Sequence, residues 1–214
     1  MLRFDGSIAG IGTSSGVRLV VGMWTESPFG PIADVMIERP NGGRTLLAPH
    51  PDVGAFIAGT YRFDDVRSEN VRLDLDGDTR TVVADSLVLR FVVGRRTPAG
   101  RLLALVPRRL ARARWWVRAI DPVARLVRRG VRTAGTAGGG RREWYCALDE
   151  HRVVQVQATL DGVDLGGLRR VTPPVRFGFA STPPSPSLVR VTTWIDADPP
   201  LPPSDDDGAT NPPR

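Results

Sequence analysis

Apolar and polar positions alternate along much of this chain, in two blocks separated by a segment of longer period. In the first block, Arg18-Leu19-Val20-Val21 and Ile32–Ile37 are short β-rich runs. They flank Ser27-Pro28-Phe29-Gly30-Pro31, a turn-forming stretch. Val71, Leu73 and Leu75 alternate with Arg72, Asp74 and Asp76, which predicts a strand with one wet face before the turn Asp76-Gly77-Asp78. Leu87–Val93 is more continuously apolar and predicts a central strand. One helix interrupts this block: Pro51 suits a first helical position, and Val53, Phe56 and Ile57 follow at helical spacing.

The period changes between residues 98 and 133. Leu103, Val106, Leu110, Val117 and Ile120 recur at three-, four- and seven-residue spacings, with Pro107 kinking or dividing the helix they predict. Asp121-Pro122 opens a second helix, as N-cap and first helical residue. Its Val123, Leu126, Val127 and Val131 share one face, and Arg125, Arg128, Arg129 and Arg132 the other. The run Thr136–Gly140 follows as a flexible link.

Alternation resumes after residue 143. Val154, Val156, Ala158 and Leu160 take one face of a strand, and Asp161-Gly162 marks a hairpin. Val175–Ala180 and Leu188–Ile195 predict further strands, separated by the loop Ser181–Pro186. The tail from Asp196 is Pro-rich and acidic, a composition that favours disorder. The fold class expected is α+β, mainly β: an antiparallel β-barrel-like domain with an arginine-rich helical insertion. Its parts are residues 1–95 and 143–195 for the β domain, 96–142 for the insertion and Gly linker, and 196–214 for the tail.

Charge sharpens this division. All 29 Lys+Arg residues are arginine, as GC-rich codon usage would produce. The chain therefore holds no lysine, which excludes an internal Schiff base. Residues 94–142 contain 14 arginines and one acid, Asp121, whereas the rest of the chain is net acidic. The opening stretch has no apolar run of signal-peptide length, and Cys146 is the single cysteine. A cytoplasmic chain, peripheral at most to the inner membrane surface, is expected.

Familiar site motifs fit poorly. Gly10-Ile11-Gly12-Thr13-Ser14-Ser15-Gly16 has the wrong spacing for a dinucleotide loop and no lysine for a phosphate loop, so a turn is expected there. His50 and His151 are the only histidines; Cys146 and Asp149 lie near His151, but no metal-ligand spacing is complete. Neither a metal nor another cofactor is implied. Cys146 reads as a small apolar packing residue. Trp144 and Tyr145 are expected on opposite faces of a strand, one of them available to line a pocket.

Ser27–Val35, with the preceding run Val17–Trp24, weakly resembles the strand-loop-strand of acetoacetate decarboxylase-like proteins. There a Gly-Pro turn leads into a strand with an acidic residue facing the cavity. The resemblance implies a β-barrel with an apolar pocket and places Asp34 near that acid. It does not carry over the family's Schiff-base lysine, since this chain has none.

The pocket residues expected are Asp34, Trp144 and Arg176, the last as partner for a carboxylate ligand. Arg112, Trp115, Trp116, Arg125, Arg128, Arg129 and Arg132 form a candidate anion-binding surface. Three uses suit it: an anionic membrane surface, a nucleic acid (for which no motif is present), or a solvated face on helices that close the barrel. The function expected is binding of a small apolar or carboxylate ligand, with the basic helices covering the pocket and docking on anionic membrane. The alternatives are an interaction module with no pocket and a lysine-free enzyme. Enzymatic activity is left open, with binding preferred.

Overall fold

The structure is a computed structural model that describes residues 1–107, 110, 134–136, 140–178 and 180–197. Its thirteen described strands belong to one sheet, ten of them in the order β5-β4-β3-β2-β1-β13-β10-β8-β7-β6, with β9 and β11 paired to β10 and β12 to β1. The sheet curls into a half-barrel whose end strands β5 and β6 are not paired with each other. All pairings are antiparallel except β4 with β5. The domain is mainly β with two described helices, α1 (Pro51–Ala58) and α2 (Pro98–Leu105).

The centre of the sheet is β1 (Leu2–Thr13), between β2 (Arg18–Glu26) and β13 (Ser187–Asp196). Strands from early and late in the sequence thus pair side by side. β2 leads to β3 (Ile32–Glu38) through the predicted Ser27–Pro31 turn. Then come β4 (Arg44–Ala48), α1, β5 (Asp65–Ser68), β6 (Arg72–Asp76), β7 (Thr79–Val83) and β8 (Leu87–Arg96). After α2 come β9 (Ala134–Thr136), the long β10 (Arg142–Leu160), β11 (Val163–Asp164) and β12 (Leu168–Arg169). At the β10–β11 hairpin Asp161 and Gly162 both have positive φ, as an Asp-Gly turn of the primed type requires.

Side-chain period two gives β1, β2 and β3 two distinct faces. Ala9, Ile11, Leu19, Val21, Met23, Ala33, Val35 and Ile37 pack into the main core against Leu87, Leu89 and Phe91 of β8. Phe4, Ile8, Val20, Trp24, Asp34 and Met36 face the other way, into a cavity. Both faces are covered, which is why these strands are apolar almost throughout. Alternation along β10 sends Glu143, Tyr145 and Ala147 to the cavity and Val156, Ala158 and Leu160 to the core. Between them the pairing register shifts at Ala147/Asp149 and again around Val153, and there Glu150 also meets the cavity and Val153 the core.

Three elements differ from the sequence expectation. Gly10 and Gly12 lie inside β1 rather than in a turn, which is confined to Ser14–Gly16. They are glycines because a Cβ would collide with Thr182 at Gly10 and with the Arg170 carbonyl at Gly12. The described residues of Val175–Ala180 form no strand, although Val175 and Phe177 are buried in alternation. Their backbone is held by other partners: the Arg176 amide donates to Glu38 Oε2, and the Phe177 carbonyl accepts from Arg62. Finally, β1 and β4 had no clear signal of their own, because Gly-rich and short strands break the pattern from which strands are recognised.

The start of the first helix predicted in the insertion is present as α2, which ends at Leu105 ahead of Pro107; Val117 and Ile120 lie outside the described residues. Thr97 caps α2, accepting from the Gly100 amide at 2.9 Å, and Pro98 takes the first position. The Thr97 hydroxyl also donates to Glu150 Oε2 at 2.6 Å, which ties the helix to β10. The helix predicted from Asp121-Pro122 and its arginine face lie outside the described residues.

Candidate functional site

An apolar cavity of about 420 Å³ occupies the face of β1–β3 opposite the main core. α1 covers it with Val53, Phe56 and Ile57, and α2 with Ala99, Leu102 and Leu103. The segment around Val175–Pro183 and the cavity-facing residues of β13 complete the wall. Phe4, Phe29 and Phe56 form a ring cluster on one side, with Phe4 and Phe56 centroids 5.7 Å apart. Leu102 is 68% exposed although it lines the cavity, so α2 stands at the rim.

Three polar side chains of the wall, Tyr61, Glu143 and Tyr145, form one hydrogen-bonded cluster. Tyr61 follows α1, and its hydroxyl donates to Glu143 Oε1 at 2.5 Å. The same hydroxyl lies 2.6 Å from that of Tyr145. With the Tyr61 proton directed to an ionised Glu143, Tyr145 supplies the proton of this second bond. Glu143 is 1% exposed, and its Oε2 has no hydrogen-bond partner among the described residues. Burial pushes the Glu143 carboxyl up to about 7, against the opposing pull of the Tyr61 and Tyr145 hydroxyls. Both tyrosines are pushed well above their usual value, first by burial and then by the charge of Glu143.

A second carboxyl, Asp34 of β3, lines the same cavity and is 2% exposed. Trp24 Nε1 donates to its Oδ1 at 2.9 Å, the one hydrogen bond to this carboxyl among the described residues. Burial raises Asp34 to about 6, and the Trp24 bond offsets only part of that. Its charge contributes to raising Tyr145. Gly22, paired with Asp34 across β2 and β3, leaves the room this contact needs: a Cβ there would meet both Asp34 Oδ1 and Trp24 Nε1. Glu150 also lines the cavity, tied to Thr97. Among the described lining residues there is no arginine, lysine or histidine. Arg141 lies just outside, donating to the Phe56 carbonyl and Thr60 and stacked 4.9 Å from the Phe56 ring centroid.

Of the three pocket residues expected from sequence, Asp34, Trp144 and Arg176, Asp34 lies on the cavity wall and the other two do not. Trp144 is buried on the opposite face of β10, packed with Cys146 and Trp194. The alternation of Trp144 and Tyr145 is as expected, and the tyrosine is the one that faces the cavity. Arg176 has a side chain 74% exposed, 3.5 Å from Glu38 and absent from the lining, so it offers no cation to a carboxylate in this space. Strand logic put it inward; the segment is not a strand, and both its amide and its side chain turn to the buried Glu38, away from the cavity. Glu38 also takes the buried Arg18 at 3.5 Å, an ion pair that anchors the 173–176 segment through Arg18 Nη1 and the Pro173 carbonyl. Arg112, Trp115, Trp116, Arg125, Arg128, Arg129 and Arg132 lie outside the described residues.

Sequence reasoning missed Glu143 and Tyr61. Glu143 carried a signal, since it stands two residues before Tyr145 and shares its strand face. Tyr61 carried none, because only the tertiary fold brings it from the end of α1 to β10. Among the described residues no three His, Cys, Asp or Glu side chains converge as metal ligands. Nor is any described helix long and apolar enough to cross a membrane.

No family model matches the chain, and no curated protein matches it in sequence. Among solved structures it is similar to the crystal structure of acetoacetate decarboxylase from Legionella pneumophila subsp. pneumophila str. Philadelphia 1. The two share 12% identity over 91% of this chain and 84% of that chain, at a TM-score of 0.40. This is a weak resemblance to the acetoacetate decarboxylase-like fold, and the chemistry of the site stands on its own geometry.

Proposed function

We propose that this protein binds a small, mainly apolar ligand in the cavity, with a polar head against Glu143, Tyr61, Tyr145 and Asp34. The observation that carries the reading is the combination of about 420 Å³ of mainly apolar space with the hydrogen-bonded Tyr61–Glu143–Tyr145 cluster on its wall. That is the composition of a ligand pocket: apolar walls supply affinity, and a few placed polar groups fix orientation. Buried polar groups ordinarily find partners, so the unpartnered Glu143 Oε2 favours a ligand that supplies one.

The direct test is titration of the protein with Nile red, a neutral apolar dye whose emission rises in a dry site. Saturable enhancement is expected, together with a change in Trp24 emission. A Val189→Phe variant, which places a ring in the cavity, is expected to abolish it. An unchanged signal in that variant places the dye elsewhere and removes the reading.

A second reading concerns the rim. Leu102 and Leu105 of α2 are 68% and 78% exposed, and the arginine-rich segment follows directly in sequence. An apolar edge beside basic residues favours docking of this side on an anionic membrane, with ligand exchange at the mouth. Sedimentation with anionic and neutral vesicles at two salt concentrations tests it. A variant with Arg125, Arg128, Arg129 and Arg132 changed to Gln is expected to lose the salt-sensitive binding.

A further inference from the structure

We infer that the ligand class this cavity selects is a cationic amine on an apolar body. The inference rests on the binding reading above and specifies the head group. It follows from an inventory of donors and acceptors on the polar wall. Tyr61 spends its proton on Glu143 Oε1, and Trp24 spends its N–H on Asp34 Oδ1. In their ionised forms the two carboxyls then offer only acceptors: Glu143 Oε2, with no hydrogen-bond partner among the described residues, and Asp34 Oδ2, since Trp24 takes Oδ1. A head group that brings several N–H donors answers that wall; a carboxylate brings none.

Charge points the same way. The carboxyl groups lining the cavity are Asp34, Glu143 and Glu150, with no basic side chain among the described lining residues. Among the described residues the nearby cations are engaged elsewhere. Arg141 is on the Phe56 carbonyl and Thr60, Arg18 and Arg176 are on Glu38, and Arg96 is on Asp149. Taking a carboxylate ligand into this space would place it beside the Asp34 and Glu143 carboxyls in a dry site, whereas an ammonium compensates those two. The preference expected on the sequence for a carboxylate ligand is thus reversed. The apolar body is set by Phe4, Phe29, Phe56, Ile57 and Val191.

Amine binding must also move protons. An ammonium beside Glu143 and Asp34 favours their ionised forms, so both carboxyls release protons as the ligand enters near neutral pH. A neutral ligand of the same shape has no such effect.

The test compares three probes of one shape by calorimetry on the whole chain: 4-phenylbutylamine, 4-phenylbutanol and 4-phenylbutanoate. The amine is expected to bind about tenfold tighter than the alcohol, the worth of one charge-assisted hydrogen bond, and the carboxylate weakest. The amine's enthalpy is expected to vary with the buffer's ionisation heat, reporting net proton release. In Glu143→Gln the amine's advantage over the alcohol is expected to shrink to within about twofold. Asp34→Asn serves as the second variant should Glu143→Gln not fold. An alcohol that binds as well as the amine, or an amine that binds without releasing protons, overturns the amine class while leaving the cavity a binding site. Failure of all three probes, and of Nile red, removes the binding reading itself.

Discussion

The Tyr61 hydroxyl sits 2.5 Å from Glu143 Oε1, joining the end of α1 to the first residues of β10 across 82 positions of sequence. One hydrogen bond thus links a lid helix to the wall that carries the buried carboxyl. Tyr61→Phe removes the donor while keeping the ring. The variant is expected to lose about 1–2 kcal/mol of unfolding free energy, because a buried acceptor is left short of a partner. Since the Tyr61 bond holds the Glu143 carboxyl down, its titration should also move above the present value of about 7. Urea unfolding across pH reads both effects.

Two carboxyls with raised pKa values dictate how stability varies with pH. A group whose folded value lies above its unfolded value stabilises the fold fully below the unfolded value. That contribution is lost as pH rises through the folded value. For Asp34 the window runs from 3.8 to about 6, and for Glu143 from 4.5 to about 7. The unliganded protein is therefore expected to gain stability as pH is lowered from 8 to 5, by at most ~3 kcal/mol for each group. Glu143→Gln and Asp34→Asn should each flatten the slope, and melting temperatures from pH 4.5 to 8.5 check it.

The opposite sign applies to Asp149. Burial works against its charge, but hydrogen bonds from Arg96 and the Glu150 amide hold its carboxyl below the usual range. Its contribution is present above the ordinary carboxylate value and lost only as pH falls through its lowered one. Stability should thus turn downward again on strong acidification. An Asp149→Asn variant is expected to weaken that acid limb and leave the rise between pH 8 and 5 in place.

Gly100 fixes the position of the rim helix. A Cβ there would run into the backbone of Glu150, so α2 can lie against β10 only with glycine at this place. Gly100→Ala is expected to lift α2 off β10. Hydrogen exchange of the α2 amides should accelerate and Nile red affinity should fall, with little change in the exchange of β1 and β2.

The buried pair Arg18–Glu38 holds the segment that closes the cavity near Val175 and Phe177. Glu38→Gln leaves the Arg18 guanidinium uncompensated in a site where that side chain is 3% exposed. A loss of about 3–5 kcal/mol is expected, the usual consequence of stranding one member of a buried ion pair. Trp144→Phe is the contrasting change: it perturbs the packing with Cys146 and Trp194 but leaves Nile red affinity unchanged, because that ring faces away from the cavity.

Local pattern alone determined most of the secondary structure that positions the site. The alternations in Ile32–Ile37, Leu87–Val93 and Val153–Leu160, the Pro51 helix start and the Asp161-Gly162 turn all rest on short-range backbone preferences, which a sequence displays directly. Asp34 was also legible, since an acid in an otherwise apolar strand after a Gly-Pro turn stands out. What the tertiary structure decided is which face meets which space. Alternation along β10 puts Trp144 and Tyr145 on opposite faces, and the packing of the sheet turns Tyr145 to the cavity. Arg176 was misplaced for a related reason: buried alternation at Val175 and Phe177 looks like a strand, but the backbone there bonds to Glu38 and Arg62 rather than to a ladder. The Tyr61–Glu143–Tyr145 cluster exists only because the curled sheet brings the end of α1 against β10. Contacts between such distant positions come from packing the whole chain, and no local pattern contains them.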